Sequence, residues 1–95
     1  MGYEVKITSR ADRDLIEILD YIESRENDPG PAIRFTNALV EEALSLAELP
    51  YRGRIMNRRK RIRKLVFHDY LIFFEIKESL KRVEILRFVH GARIK

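Results

Sequence analysis

The apolar and polar positions of this chain change their period twice along the sequence. Between Tyr3 and Thr8 apolar and polar residues alternate, which predicts a strand with one buried face. From Ser9 to Pro50 the apolar residues recur every three or four positions, which predicts amphipathic helices. After Pro50 the two-residue period returns. The pattern therefore predicts an α+β fold in which the helices follow the first strand.

A group of helix-breaking residues at 27–30 divides the helical stretch into two helices. Ser9 is suited to cap the first helix and Asp12 to its first turn, while Pro31 suits the start of the second helix and Pro50 its end. Two amphipathic helices joined by a short turn form an antiparallel hairpin. The expected buried stripes are Ala11, Leu15, Ile18, Leu19 and Ile22, then Phe35, Ala38, Leu39, Ala43, Leu46 and Leu49, with Glu42 interrupting the second.

Three further strands are predicted at residues 61–67, 70–76 and 82–90, whereas residues 51–59 look irregular. Residues 70–76 are apolar at almost every position, so both faces of that strand should be covered and the strand should be central. Short loops favour an antiparallel meander that the first strand joins. We therefore expect one domain over residues 1–95 with the order β-α-α-β-β-β, in which the helical hairpin packs on one face of an antiparallel sheet.

The charge of the chain is divided unevenly between its two halves. Residues 1–50 carry 5 basic and 11 acidic side chains, whereas residues 51–95 carry 14 basic and 4 acidic ones. Residues 52–64 contain eight cations and no acid. Because such a run repels itself, a polyanionic partner is expected beside it, although a solvated basic face is the alternative.

Several classes of protein are excluded by composition. The chain has no cysteine and only two histidines, so disulfides and thiolate metal sites are impossible and a structural zinc site is not expected. We expect no cofactor. The longest apolar run, residues 70–74, is far shorter than a membrane span, and the first residues lack the apolar stretch of a secretory signal. These features predict a cytoplasmic protein with no membrane partner.

Four segments of the chain, taken in order, resemble plasmid-stabilisation toxins of the ParE kind, within the RelE/ParE superfamily. They are residues 7–15 (ITSRADRDL) with Ile18, Tyr21 and Ile22, residues 50–54 (PYRGR), residues 70–75 (YLIFFE) and residues 85–93 (ILRFVHGAR). The ending, residues 86–93, is the most specific of them. The resemblance covers nearly the whole chain and implies the toxin of a type II toxin–antitoxin system.

The superfamily divides by target, so the resemblance implies one of two activities. RelE-like members are endoribonucleases that cut messenger RNA on the ribosome, whereas ParE-like members bind and poison DNA gyrase and are not enzymes. Both kinds are neutralised by a cognate acidic antitoxin, whose C-terminal segment wraps over the toxin. The resemblance implies a toxin–antitoxin hetero-oligomer and leaves a homodimer open. A third interpretation is a degenerate, non-toxic module that keeps only its antitoxin contact or binds nucleic acid.

Cleavage of RNA without a metal requires a base, an acid and cations beside the phosphate. The candidate cations are Arg61, Arg63, Lys64 and Arg87. His90 is the first candidate for the acid or base, with His68 and Glu75 as others. A His90 ring that bonds to the backbone and fixes the turn into Gly91 is the more frequent arrangement, and Arg87 can equally pair with an acid.

The sequence therefore favours gyrase poisoning, with no catalytic residue assigned. That activity requires only a stable scaffold and an exposed surface that fits the target. The residues expected to bind the antitoxin or the target are Arg58, Arg59, Lys60, Arg61, Arg63, Lys64 and Arg93.

Overall fold

Two helices lie on one face of a five-stranded mixed sheet in the computed structural model, which describes residues 2–93 and, of Arg93, the backbone alone. The elements are β1 (Glu4–Ile7), α1 (Ser9–Glu26), α2 (Pro29–Leu44), β2 (Arg54–Asn57), β3 (Ile62–Phe67), β4 (Tyr70–Lys77) and β5 (Arg82–His90). The predicted α+β class, with a helical hairpin on one face of the sheet, is confirmed. In the described part of the chain, neither helix is both long and apolar enough to cross a bilayer.

The expectation of a fully antiparallel sheet is wrong at β1. The strand order is β1-β5-β4-β3-β2, and β1 runs parallel to β5, with Val5 opposite Val83 and Ile7 opposite Ile85. The other neighbouring strands are antiparallel. Parallel neighbours need a long crossover connection. Here the chain between β1 and β5 contains both helices and three strands, which is long enough to bring β5 back beside β1 in the same direction.

The segment that looked irregular contains a strand, β2, which forms one edge of the sheet. Arg54 lies opposite Lys64 and Ile55 opposite Arg63, and the register shifts before Asn57. All four residues of β2 are exposed. A strand without a buried face leaves no alternation of apolar and polar residues, which is why the pattern did not reveal it.

Both helices begin earlier than the sequence suggested, and both are capped by other residues than expected. Thr8 caps α1, because its hydroxyl oxygen accepts the Ala11 N–H at 3.3 Å while its own O–H donates to the Ile85 carbonyl at 2.7 Å. Asp28 caps α2 by accepting the Gly30 N–H at 3.0 Å, so that helix starts at Pro29. It ends at Leu44, and short 3₁₀ turns follow at Ser45–Ala47 and Pro50–Arg52.

The core lies between the helical hairpin and the sheet. Its largest enclosed side chains are Leu39, Leu46, Ile72, Phe74, Val83 and Ile85. The predicted burial of Ile18 and Leu39 is confirmed, and Leu15 packs against the same cluster while partly buried. Leu49 is 62% exposed, so its place in the predicted stripe was wrong. The helical spacing had already ended at Leu44, and the 3₁₀ turn points Leu49 outward.

Only the helix-facing side of β4 is buried, with Ile72, Phe74 and Ile76 alternating with half-buried Leu71, Phe73 and Glu75. The expectation that both faces would be covered is therefore wrong, although β4 does lie in the middle of the strand order. The opposite face of the sheet remains open within the described residues.

We expect Leu39→Ala to lower the free energy of unfolding by about 2–5 kcal/mol, because it opens a cavity at a fully enclosed position. A domain this small has a total of roughly 5–10 kcal/mol, so the loss is a large fraction of it. Leu44→Ala on the same helix is the matched control, since Leu44 is 46% exposed. Equal denaturant midpoints for the two variants would contradict this assignment of the helix face.

Candidate functional site

A buried carboxylate joins the first helix to the last strand. Asp14 is 3% exposed and is the one buried charged residue of the described chain. Arg87 donates to it through Nε at 2.8 Å and Nη2 at 3.2 Å, and the Phe88 N–H donates to the same carboxylate at 2.9 Å. The hydrogen bonds from Arg87 to Asp14 raise the pKa of the guanidinium, against the opposing effect of its burial.

Arg87, a candidate cation for RNA cleavage, thus pairs with an acid, the alternative that the sequence also offered, and that acid is Asp14. Sequence analysis missed Asp14, although a signal was present. Asp14 lies three residues after Ala11 and four before Ile18, so a carboxylate occupies a position of the buried stripe.

His90 lies in a cleft between α1 and the end of the sheet. The cleft has a volume of about 240 Å³ and is lined by Asp14, Glu17, Ile18, Tyr21, Tyr70, Phe88, His90 and Ala92. The His90 ring meets Tyr70 edge-on at 5.0 Å between ring centres. Its Nδ1 accepts the Ala92 N–H at 3.2 Å. The ring therefore fixes the turn after β5, as expected, but by accepting from an amide instead of donating to a carbonyl.

A second cleft of about 340 Å³ lies at the opposite end of the sheet, beside β2 and β3. Its lining residues are Tyr51, Ile55, Arg58, Arg61, Arg63, Ile76 and Glu78. Arg63 is held in place there, because Nη1 donates to the Gly53 carbonyl at 2.7 Å and the guanidinium lies 4.9 Å from the centre of the Tyr51 ring. Glycine is needed at position 53 for close packing on the core, since a Cβ there would lie 2.6 Å from Phe74 Cζ.

One wall of the second cleft is a hydrogen-bonded cluster around Glu78. The Glu78 carboxylate accepts from Lys81 Nζ at 2.8 Å, from the Tyr51 hydroxyl, and from the Tyr3 hydroxyl at 2.9 Å. The hydrogen bond from Lys81, followed by those from the two tyrosines, lowers the pKa of Glu78 to about 2. The carboxylate is thus ionised and already surrounded by donors, which limits its pairing with the arginines of the cleft.

The turn between β2 and β3 carries the free cations of the basic segment. Asn57 Oδ1 accepts the Lys60 N–H at 3.1 Å, and Arg61 adopts a left-handed conformation with φ 56°. The residues of the turn are exposed, and their side chains form no hydrogen bond or ion pair with the described residues: Arg58, Arg59, Lys60 and Arg61. The side chain of Arg93, another predicted binding residue, lies outside what the structure describes.

The groups proposed for RNA cleavage lie apart. His90 pairs with Tyr70 at one end of β4, while Ile62, the neighbour of Arg61, pairs with Glu75 nearer the other end. Tyr70 and Glu75 are five positions apart on β4, a distance of roughly 17 Å along the strand. His68 lies in the exposed β3–β4 turn, and Glu75 forms an ion pair with Lys77 at 3.3 Å. The described residues contain no group of three or more potential metal ligands from His, Cys, Asp and Glu.

The open face of the sheet carries a row of polar and aromatic residues that sequence analysis did not identify as a surface. Lys64, Phe73 and Arg87 lie side by side on β3, β4 and β5, and Arg54 extends the row on β2. The neighbouring row is apolar, with Val66, Leu71 and Val89. Lys64, predicted as a binding residue, thus lies on a different side of the sheet from Arg63.

The fold is shared with known proteins. Residues 5–95 match the family model described as "ParE toxin of type II toxin-antitoxin system, parDE". Among solved structures, the chain is similar to one in the toxin–antitoxin complex RelBE2 from Mycobacterium tuberculosis, with 27% identity, a TM-score of 0.73, and coverage of 95% of this chain and 99% of that chain.

A second solved structure, the chromosomal ParDE TA system from P. aeruginosa, contains a chain with 23% identity and a TM-score of 0.80, over 94% of this chain and 96% of that chain. At that identity the likeness concerns the fold alone. No curated protein matches the sequence.

We expect Asp14→Ala to destabilise the protein by about 1–3 kcal/mol, because it leaves the buried Phe88 N–H without an acceptor. Loss of the ion pair adds less than in a fully buried pair, since the Arg87 side chain is 40% exposed and solvent compensates it. Asp20→Ala, an exposed position of the same helix, should change stability by no more than about 0.5 kcal/mol. Chemical denaturation of both variants checks this. Similar losses in the free energy of unfolding would show that Asp14 does not stabilise the packing of α1 on β5.

Proposed function

The chain belongs to the ParE toxin family of type II toxin–antitoxin systems, and we propose from this that it poisons DNA gyrase by binding it, without acting as an enzyme. The observation that carries the proposal is the separation along β4 of His90 from Arg63, four positions or roughly 13 Å of strand, and from Ile62, the neighbour of Arg61, five positions or roughly 17 Å. A general acid or base must come within hydrogen-bonding reach of the group it serves. A bound phosphate cannot contact both ends of that strand at once.

The state of the remaining candidates supports the same proposal. Arg87 is paired with Asp14, and Arg63 is bound to Gly53 and stacked on Tyr51. Both cations act as braces of the fold, so recruiting them to a transition state would break contacts that hold α1 and the segment around Gly53. Binding a protein target asks for no such rearrangement.

We also propose that a cognate acidic antitoxin binds the basic surface of residues 58–64. The solved structures that this chain resembles are described as toxin–antitoxin complexes or systems. Arg58, Arg59, Lys60 and Arg61 have no acidic partner within the described chain, so an acidic segment would meet cations that need not leave other contacts. Attraction between opposite charges then speeds the encounter.

The charge reversal Arg59→Glu with Arg61→Glu should slow association with the antitoxin and flatten the dependence of the association rate on salt, because steering acts mainly on the on-rate. Arg13→Glu with Arg34→Glu is the matched control, since it makes the same change in net charge at exposed positions on the two helices. Rates measured across a salt series for both variants decide the matter. Equal effects of the two pairs would remove residues 58–64 from the interface.

Expression without antitoxin should cause DNA breaks and a DNA-damage response while messenger RNA remains intact, because a gyrase poison acts on DNA. Purified protein should inhibit supercoiling by gyrase, and His90→Ala should keep most of that inhibition, since no proton transfer is required of the ring. A ribosome-dependent nuclease would instead cut messages and lose about 10²–10⁴-fold in rate with the same substitution. Message cleavage on ribosomes that depends on His90, with gyrase unaffected, would overturn the proposal.

A further inference from the structure

The β2–β3 hairpin is an exposed two-stranded arm at the edge of the sheet. All four residues of β2 are exposed, and so are the turn residues 58–61. β2 is the last strand of the order and has a neighbour on one side only, β3. No core residue lies in the turn. The hairpin tip therefore contributes little to the packing of the domain, and its side chains are free to meet a ligand.

The tip is where four consecutive cations lie without a hydrogen-bond or ion-pair partner among the described residues, whereas other cations without partners, such as Arg13 and Arg34, stand singly on the helices. Elsewhere Arg52 pairs with Glu42, Lys77 with Glu75, Lys81 with Glu78, Arg82 with Glu4, and Arg10 and Arg87 with Asp14. Arg58, Arg59, Lys60 and Arg61 form none of these bonds within the described chain. Four adjacent cations without a counter-charge repel one another, so a ligand with several negative charges is favoured.

The backbone of the turn is held in a demanding conformation. Arg61 has φ 56°, a region that glycine or asparagine adopts more readily than a long side chain. The Asn57 side chain supports the turn by accepting the Lys60 N–H. The turn thus fixes the backbone from which the Arg61 side chain extends. That side chain lines the second cleft together with Arg58 and Arg63.

Cations line two adjoining clefts at the hairpin tip. Arg58, Arg61 and Arg63 line the second cleft with Glu78, and Arg59, Lys60 and Arg61 line a further cleft with Glu75, Lys77 and Glu78. An acidic peptide that lies in one cleft would meet only part of the set of cations. The major groove of a DNA duplex admits a two-stranded β-ribbon and presents phosphates on both of its walls. Guanidinium groups bind phosphate oxygens through paired hydrogen bonds.

We propose that the β2–β3 hairpin is an arm that contacts the phosphates of double-stranded DNA. We assign the contact to phosphates, which carry no base sequence, and Asn57, the one amide side chain of the hairpin, is engaged by the backbone of the turn. The inference rests on the proposed function, because gyrase binds DNA and would bring the toxin close to it. It assigns the toxin a direct contact with that DNA. The open arginines, and not the braced Arg63, supply most of the attraction.

The test is the binding of the purified full chain to a fluorescent DNA duplex of mixed sequence, followed by anisotropy across a salt series without gyrase. Four phosphate contacts predict that the logarithm of the binding constant falls with the logarithm of salt with a slope of about −3.5. The double variant Arg58→Gln with Arg61→Asn should reduce the slope by about two, because each lost contact removes about one counterion. Asparagine at position 61 tolerates the positive φ, so the turn is kept.

Arg13→Gln with Arg34→Gln is the matched control, which changes the net charge equally on the helical side of the molecule. An unchanged slope for this control, with a reduced slope for the hairpin variant, supports the proposal. Equal losses for both variants, or no binding by the unaltered chain, would overturn it. Circular dichroism and thermal melting verify the fold of each variant.

Failure of the hairpin contact and failure of gyrase poisoning give different results. A chain that inhibits gyrase but does not bind DNA in this way refutes the hairpin contact alone. A chain that binds DNA through the hairpin but leaves gyrase active refutes gyrase poisoning and leaves the contact standing.

Discussion

The contact between Asp14 and the backbone of β5 is the interaction on which the rest of this structure depends. β1 pairs with β5 only as far as Ile7 opposite Ile85, and the chain then leaves the sheet to begin α1. The next part of β5 would be a bare strand edge. Asp14 occupies that edge, accepts the Phe88 N–H and binds Arg87. The Asp14 side chain thereby satisfies an N–H of the strand edge that no neighbouring strand covers, and it fixes α1 against the sheet.

The contact of Asp14 with β5 also determines which cations remain available to a partner. The register of β5 shifts beside Phe73 and Phe74, and Arg87 on the open face reaches Asp14 from there. Arg63 is held in a comparable way at the other end of the sheet by the Gly53 carbonyl. Some arginines therefore stabilise the fold, whereas others, including those of the β2–β3 turn, form no such contact with the described residues. Charge counts alone do not distinguish them.

The parts of the fold that the sequence predicted are those with one buried face. β4, β5 and the two helices bury alternating or helical sets of apolar residues, so their patterns are visible. β2 is exposed throughout, and the parallel direction of β1 is a property of chain connection that periodicity does not encode. The position of Asp14 within the buried stripe of α1 was visible in the sequence, but its partners lie 73 and 74 residues away, and helical spacing could not identify them. The basic turn was visible as a run of charge. Only the fold shows that its cations form no contact of the kind that Arg63 and Arg87 make.

The proposals for the antitoxin and for DNA meet at the same side chains, and this has a consequence for control of the toxin. If Arg58, Arg59 and Arg61 hold an acidic segment of the antitoxin, they are not free for phosphates, because a guanidinium engaged by a carboxylate has lost the donors that a phosphate needs. The two ligands then exclude each other, and the coupling is reciprocal, so DNA weakens antitoxin binding as much as antitoxin weakens DNA binding. An antitoxin bound at the hairpin would neutralise by occupation, without any change in the core that Asp14 holds together.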